Sequence, residues 1–527
     1  MKTNIKSNNN FFRSFSFISL FTFLSRVLGY IRDLFFAFLL GATPSADSFL
    51  LAFRIPNFFR RLFAEGAINN ALIPIYLSIS EKKNKKEAQI FSGTILLFLF
   101  LLLIIVLIAG LFFMLDLVKI LAPNFSLDLQ LKTAYLASIM FPYLLFISLS
   151  SFFGAILNAK KHFLMWAFLP AILNFCMLLG MLYALQNSFD VTLILSVSVL
   201  LAGVLQFILI YIWTRHLKIS FILKKPKYSD DIKNFFKLLL PNLMAGGVVQ
   251  INQFVGVIFA ASIPGAISWL YYADRIVQLP LGVFIISIST ILLTSLSNEK
   301  VKKQSEKINI QIEKSLEIMM GISLLSCVGL FALSDLIVDI LFRRGQFGYG
   351  DVKATSDAIW MYALGLPAFG LIKIFSTIFF SEQDTKTPFR VSFLAMLLNI
   401  FFITFLIDSK GHLGIALALS ISSWFNAIAL YFVLHLKGYW KINFIYFKKL
   451  VKLFFVFFLT LNIVQGIQYF FTFFDVVSTS SILNKLLFLV YMVIISISTF
   501  ILFCILFRIL SLKDLSLKKI FNKLRRN

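Results

Sequence analysis

Residues 95–115 read ILLFLFLLLIIVLIAGLFFML, from Ile95 to Leu115 without one charged side chain. A helix of this length reaches about 30 Å, the thickness of a bilayer's hydrocarbon layer. A strand of a membrane barrel alternates apolar and polar residues over a shorter stretch, and this run does not. Similar runs recur from end to end. Of the 527 residues 59% are hydrophobic and 14% charged, and the mean hydropathy is +0.90. That is too little charge to cover a water-facing surface. The chain is therefore expected to be an all-α polytopic membrane protein.

Fourteen spans are expected, over 11–40, 46–79, 88–115, 130–158, 163–185, 190–214, 234–262, 266–297, 311–333, 355–381, 387–407, 411–436, 450–472 and 484–510. Of the 49 lysines and arginines, 35 fall in one alternating set of loops, 7 in the other, and 7 inside spans. Cytoplasmic loops collect the basic residues, so both termini are expected in the cytoplasm, and the even span count agrees. The net charge of +25 is explained by this sorting, and nucleic acid is not expected as a partner. The basic tail with Lys518, Lys519, Lys523, Arg525 and Arg526 suits anionic membrane lipids.

Two halves echo each other. The stretch from Ala71 to Lys82 resembles that from Ile291 to Lys300, and Pro170 with Asn174 resembles Pro388 with Asn399, each after a short charged turn. Six spans separate the members of each pair, as in transporters built from parallel repeats. The expected organisation is an N-terminal lobe over 1–218, a cytoplasmic linker over 219–233, a C-terminal lobe over 234–441, and two further spans with the basic tail over 442–527.

Charge inside the spans points to function. Arg26, Arg32, Arg54, Arg60, Arg61, Arg275 and Lys373 stand against Asp33, Asp47, Glu65 and Asp274, a surplus of three positive charges. A charged residue costs about 2.5–3.5 kcal/mol at the bilayer centre on insertion scales. Such residues persist where they face a partner or a wet cavity. The surplus calls for an anion, a substrate or a bound chloride, and the guanidinium fork fits phosphate oxygens in pairs. Arg26 and Asp33 lie two turns apart and are expected on one face, with Arg32 well round from them and Gly29 allowing bending or close packing. Pro56 and Gly66 interrupt the second span, as in helices that line cavities. For Arg54 and Arg61 the alternative is structural bonding between helices.

The four histidines are scattered at span ends, and no metal-ligand spacing or glycine-rich phosphate loop is present. Cys176, Cys327 and Cys504 lie in apolar runs and read as small core residues. Glu382 and Asp384 beside Lys386 read as a helix stop with local salt bridges.

Six motifs together resemble the MurJ/MviN family of lipid II flippases, in the multidrug/oligosaccharidyl-lipid/polysaccharide exporter superfamily. They are Ser25 to Asp33, the Ala-Asp-Ser start at Asp47, Pro56 to Gly66, Gly154 to Asn158, Tyr271 to Arg275, and Asp384 to Pro388. The resemblance implies two pseudo-symmetric six-helix lobes in a V, plus two C-terminal helices that form a groove for a prenyl tail. It implies that Arg26, Arg32, Arg60 and Arg275 bind substrate in a cationic central cavity, with Asn57 and Glu65 in or near it and Asp47 at a gate. Asp33, Arg61 and Asp274 balance charge.

The substrate implied is lipid II, the undecaprenyl-diphosphate-linked peptidoglycan precursor. It would move across the bacterial inner membrane by alternating access, with the cell-wall synthesis machinery as a further partner. No cofactor and no covalent chemistry are expected, and membrane potential is the expected bias. Thr294 replaces a proline common in the family. Span seven offers Gln250, Asn252 and Gln253 and span eleven Asn399, without the carboxylates of the family's sodium site, which argues against sodium coupling. The alternatives are a flippase for another polyprenyl-diphosphate glycan and a membrane-embedded glycan transferase, which would require a metal-binding carboxylate pair. A cation antiporter of the superfamily would require acids where this chain has bases.

Overall fold

A computed structural model describes residues 2–62, 68–222, 229–301, 305–473 and 481–509. Every regular element among them is helical. The chain divides into two compact units. One comprises residues 1–268 with 344–348, and the other 269–343 with 349–527.

The first unit contains α1 (Lys2–Leu40), α2 (Pro44–Leu62), α3 (Ile68–Lys82), α4 (Lys85–Phe112), α5 (Met114–Leu121), α6 (Leu127–Met140), α7 (Tyr143–Ala159), α8 (Leu164–Asn187), α9 (Val191–His216) and α10 (Asp230–Ala260). Its centre is α7, whose buried Ser148, Ser150, Ser151, Gly154 and Ala155 are small enough for close helix packing. Gly203 of α9 lies so close to Tyr143 that an added Cβ would meet the ring at 2.6 Å. By contrast only 17% of the apolar window of α4 is buried, so most of its Leu, Ile and Phe side chains are left to lipid. The excursion 344–348 packs on the end of α1, where the Gln346 amide donates to the Phe38 carbonyl at 3.0 Å. Gly41 and Gly345 meet there at φ +57° each, with neighbouring carbonyls where a Cβ would stand.

The second unit opens with α11 (Ala266–Pro280), whose first three residues belong to the first unit. A π-turn over Leu281–Ile285 follows Pro280 and leads into α12 (Ile286–Val301). A missing amide at proline is a recognised cause of such a turn's irregularity. Next come α13 (Ser305–Phe342), α14 (Tyr349–Ala363), α15 (Leu366–Ser381), α16 (Lys386–Lys410), α17 (His412–Leu436), α18 (Phe444–Phe473) and α19 (Ile482–Leu506). The hairpin of α18 and α19 packs on α13. Two ion pairs fix it there: Lys449 to Glu317 at 3.1 Å and Lys485 to Asp339 at 2.8 Å. Glu317 and Asp339 are separated along α13 by about 33 Å, close to the hydrocarbon thickness, so the pairs sit near opposite ends of the span.

The all-helical membrane class holds, while the count of fourteen does not follow from the described residues. Ten helices are long and apolar enough to cross, or eleven if α14 and α15, bent by 42°, form one span. The expected spans 11–40, 46–79 and 234–262 fall outside that set. The second of them is divided into α2 and α3, and its first helix carries Arg54, Arg60 and Arg61, which lower its apolarity. The expected span 130–158 corresponds to one crossing stretch, Leu127–Ala159, with a turn at Pro142 between α6 and α7.

The repeat is visible in turn geometry. Lys161, at φ +66°, precedes His162, whose amide donates to the Leu157 carbonyl at 2.8 Å; Gln383, at φ +60°, precedes Asp384, whose amide donates to Phe379 at 2.9 Å. The helices that follow end alike, at Ser188 and Gly411, and the next two at Lys218 and Gly438, all with positive φ. Counted from these turns, Pro170 falls opposite Ser392 and Asn174 opposite Met396. The sequence pairing of Pro170 with Pro388 and Asn174 with Asn399 is therefore out of register. Similar apolar helices supply no landmarks of their own, and the turns do.

Asp384 pairs with Lys437 at 2.6 Å and not with Lys386, and it accepts further bonds from the Thr387 hydroxyl and amide. Burial opposes its ionisation, but the bonds from Lys437 and Thr387 outweigh this and hold the carboxyl down to about 2. Its stabilisation is then fully present above an unfolded value of about 3.9 and is lost as pH falls toward 2. Asp384→Asn is expected to flatten the acid limb of a pH-dependent unfolding curve in detergent while leaving its neutral-to-alkaline limb parallel to wild type. Lys485→Ala is expected to lower stability by about 1–3 kcal/mol, with Asp339→Asn/Lys485→Met recovering most of it, read by thermal unfolding.

Candidate functional site

The charged residues of the first unit are held by short polar networks. On α1, Arg32 is 6% exposed and Asp33 3%. Arg32 Nε and Nη2 both donate to Asp33 Oδ1, at 3.1 and 2.7 Å, and Nη1 donates to Asn174 Oδ1 of α8 at 2.9 Å. Asn174 Nδ2 donates in turn to the Ser25 carbonyl at 2.9 Å. Gly29 makes this possible, because a Cβ there would stand 3.2 Å from Asn174 Nδ2. Arg32, expected well round from Asp33, is thus bonded to it. The long arm of Arg32 folds back to its sequence neighbour, and Arg26 is exposed on the same helix.

On α2, Asn57 Nδ2 donates to the Phe53 carbonyl at 3.0 Å, and its Oδ1 accepts from Arg60 Nε at 2.9 Å. Asn57 therefore orients Arg60 from the turn after Pro56. Arg54 Nη1 donates to the Gln253 carbonyl of α10 at 3.1 Å, and Arg61 Nη1 to the Gln253 side-chain oxygen at 2.7 Å. Both link α2 to α10, beside the Phe58–Phe254 ring contact. An amide partner satisfies a guanidinium N–H without cancelling its charge.

Asp47, 2% exposed, stands at the start of α2. Its carboxylate accepts from the Gly265 amide at 2.7 Å, the Ser268 amide at 2.9 Å and the Ser268 hydroxyl at 2.6 Å. These amides open α11, so a carboxylate occupies the positive end of that helix. Glu65 lies outside the described residues.

In the second unit Arg275 Nη2 donates to the Tyr271 hydroxyl at 3.0 Å, and its guanidinium lies 5.0 Å from the Tyr271 ring centre, a cation–π distance. The neighbouring Asp274 accepts from Gln278 one turn on. Lys373 is exposed on α15.

The networks draw Arg32 with Asp33, and Arg60 with Asn57. Arg26 and Arg275 stand in separate units. Sequence reasoning named the charged residues and missed their amide and hydroxyl partners, Asn174, Gln253 and Ser268. An asparagine inside an apolar run was the available signal for Asn174. Among the described residues no group of three or more His, Cys, Asp or Glu is placed to hold a metal ion.

Residues 36–503 match the family described as lipid II flippase MurJ. A probable lipid II flippase MurJ of Rickettsia prowazekii (strain Madrid E) is 38% identical over 426 residues, covering 80% of this chain and 83% of that protein. Its counterpart in Rhizobium tropici is 38% identical over 422 residues, covering 79% of each. A solved lipid II flippase MurJ in an inward closed conformation superposes with a TM-score of 0.79 at 26% identity, over 93% of this chain and 98% of that one. An inward-facing multidrug resistance MATE family transporter of the MOP superfamily matches at 14% identity with a TM-score of 0.69, over 78% and 94%; that likeness concerns the fold.

Asn174→Leu removes the acceptor of Arg32 Nη1 and the tie from α8 to the Ser25 carbonyl, and is expected to lower stability by about 2–4 kcal/mol. Asp47→Ala removes the acceptor of three donors and is expected to cost more than Asp47→Asn. Denaturation monitored by tryptophan fluorescence in micelles checks both orders.

Proposed function

The chain belongs to the MurJ family of lipid II flippases, and on that premise we propose that it carries lipid II from the cytoplasmic to the outer leaflet by alternating access. It is a transporter and not an enzyme, a multi-pass protein of the inner membrane. The observation that carries the reading is a family match over almost the whole chain combined with guanidinium groups inside apolar helices.

Arg26, Arg60 and Arg275 bind the diphosphate, and Asn57 orients Arg60 for it. Arg32 belongs to the same set by family resemblance, and its bonds to Asp33 and Asn174 give it the further task of fixing α1. Asp33, Asp47, Arg61, Glu65 and Asp274 set the balance of charge. The support is physical: a guanidinium within a span requires polar surroundings, and an anion with two phosphoryl groups offers several paired acceptor sites. The undecaprenyl tail stays in lipid along α18 and α19.

The basic loops and both termini face the cytoplasm by the lysine and arginine count. An inside-negative potential then drives the anionic head outward, at about 2.3 kcal/mol per charge per 100 mV. A bound chloride occupies the cationic groups between cycles. Sodium is not required, since span seven presents amides and Gln253 is engaged by Arg54 and Arg61. The cell-wall synthesis machinery receives the product.

The test is complementation. A bacterium depleted of its own lipid II flippase is supplied with this chain, and precursor reaching the outer leaflet is measured. Wild type is expected to restore it, and Arg26→Ala, Arg60→Ala and Arg275→Ala each to reduce transport at least ten-fold, from loss of about 2–4 kcal/mol of charged contact. Full transport by all three variants would refute the assignment. Rescue of a capsule or O-antigen pathway without rescue of the wall would favour a flippase for another polyprenyl-diphosphate glycan.

A further inference from the structure

The inner end of α13 and the start of α18 enclose a group of polar side chains that the transport reading does not use. Glu313 and Glu317 stand one turn apart on α13, so their carboxylates share a face, an arrangement that is unfavourable for two like charges. Lys449 of α18 pairs with Glu317 at 3.1 Å. No hydrogen bond or ion pair to Glu313 occurs among the described residues. The group of two carboxylates and one ammonium therefore carries one uncompensated negative charge.

A second observation bears on the same place. Tyr446, in the first turn of α18, is only 4% exposed. Its hydroxyl has no hydrogen-bond partner, although both Glu317 and Glu313 act on it electrostatically. A buried hydroxyl without a partner is rare and expensive to leave so. Six residues earlier, in the connection leading into α18, the indole N–H of Trp440 is likewise buried without an acceptor. Lys448 and Lys452 lie on the same opening turns of α18, with Lys448 over the Phe444 ring at 4.6 Å. Thus an acidic position short of one cation adjoins a donor short of one acceptor, flanked by lysines, at the membrane-entry end of a spanning helix.

We propose that Glu313, Glu317 and Tyr446 form a binding site for a membrane glycerophospholipid with a primary-amine headgroup. The ammonium group lies against Glu313 and the shared face with Glu317. The Tyr446 hydroxyl donates to a phosphate or glycerol oxygen of the same lipid, and the lysines of α18 lie near its phosphate. A primary ammonium is favoured over a quaternary one because it donates hydrogen bonds to carboxylates, which trimethylammonium cannot. An anionic headgroup without an amine would meet the uncompensated carboxylate. The lipid would sit in the leaflet faced by the basic loops and hold the α18–α19 hairpin to α13 beside the Lys449–Glu317 pair. The site is independent of which glycan the protein transports.

The full-length chain, purified and stripped of lipid, is mixed with dioleoyl phosphatidylethanolamine, phosphatidylcholine or phosphatidylglycerol, and bound lipid is counted by native mass spectrometry. Wild type is expected to retain the ethanolamine lipid at least five-fold better than the choline lipid, which differs only in N-methylation. Glu313→Gln is expected to abolish that preference, and Tyr446→Phe to weaken ethanolamine-lipid binding about three-fold or more. Equal retention of the ethanolamine and choline lipids by wild type would overturn the proposal without recourse to any variant. So would an undiminished preference in Glu313→Gln, or a preference for phosphatidylglycerol. Loss of transport with lipid preference intact would instead count against the transport reading.

Discussion

A charge within an apolar helical bundle must have its hydrogen bonds met, and this requirement organises the first unit. The cost of an unmet guanidinium in hydrocarbon exceeds the worth of most single packing contacts. Arg32, Arg54, Arg60 and Arg61 are accordingly found with polar groups from their own turn or from a neighbouring helix. The Arg32–Asp33–Asn174 network joins α1 to α8, and Gln253 joins α10 to α2 through Arg54 and Arg61. Helix packing in lipid has no hydrophobic drive of its own, so these bonds also help to decide which helices are neighbours.

The choice of partner matters as much as its presence. Where a carboxylate is the partner, as for Arg32, the charge is largely spent on structure. An amide partner, such as Asn57 for Arg60, accepts from the guanidinium without itself cancelling its charge. Asp47 shows the converse use of the same rule. Its carboxylate accepts three hydrogen bonds at a helix start, where backbone amides supply positive potential.

Loops were legible where their chemistry is local. The turn at Asp384 could be recognised as a helix stop, because a short polar residue ahead of Thr387 and Pro388 can take up free backbone amides. Its ion partner could not, because Lys437 lies far along the chain and is brought near by the packing of α16 on α17. The same limit misplaced the repeat register. Proline and asparagine recur by composition in apolar helices, whereas the positive-φ turns at Lys161 and Gln383 exist only once the chain is folded.

Sequence alone determined the class and the family, because apolar length, lysine and arginine sorting and family motifs are all one-dimensional. It also placed more bases than acids inside the expected spans. Only the tertiary structure decided that Arg32 bonds Asp33 and Asn174, that Asn57 bonds Arg60, that Gln253 receives Arg54 and Arg61, and that Asp47 sits on the first amides of α11. Those outcomes depend on which helices touch and at what height. In a chain whose helices are nearly uniform in apolarity, that information is absent from composition and spacing and appears only when distant polar atoms come within bonding distance.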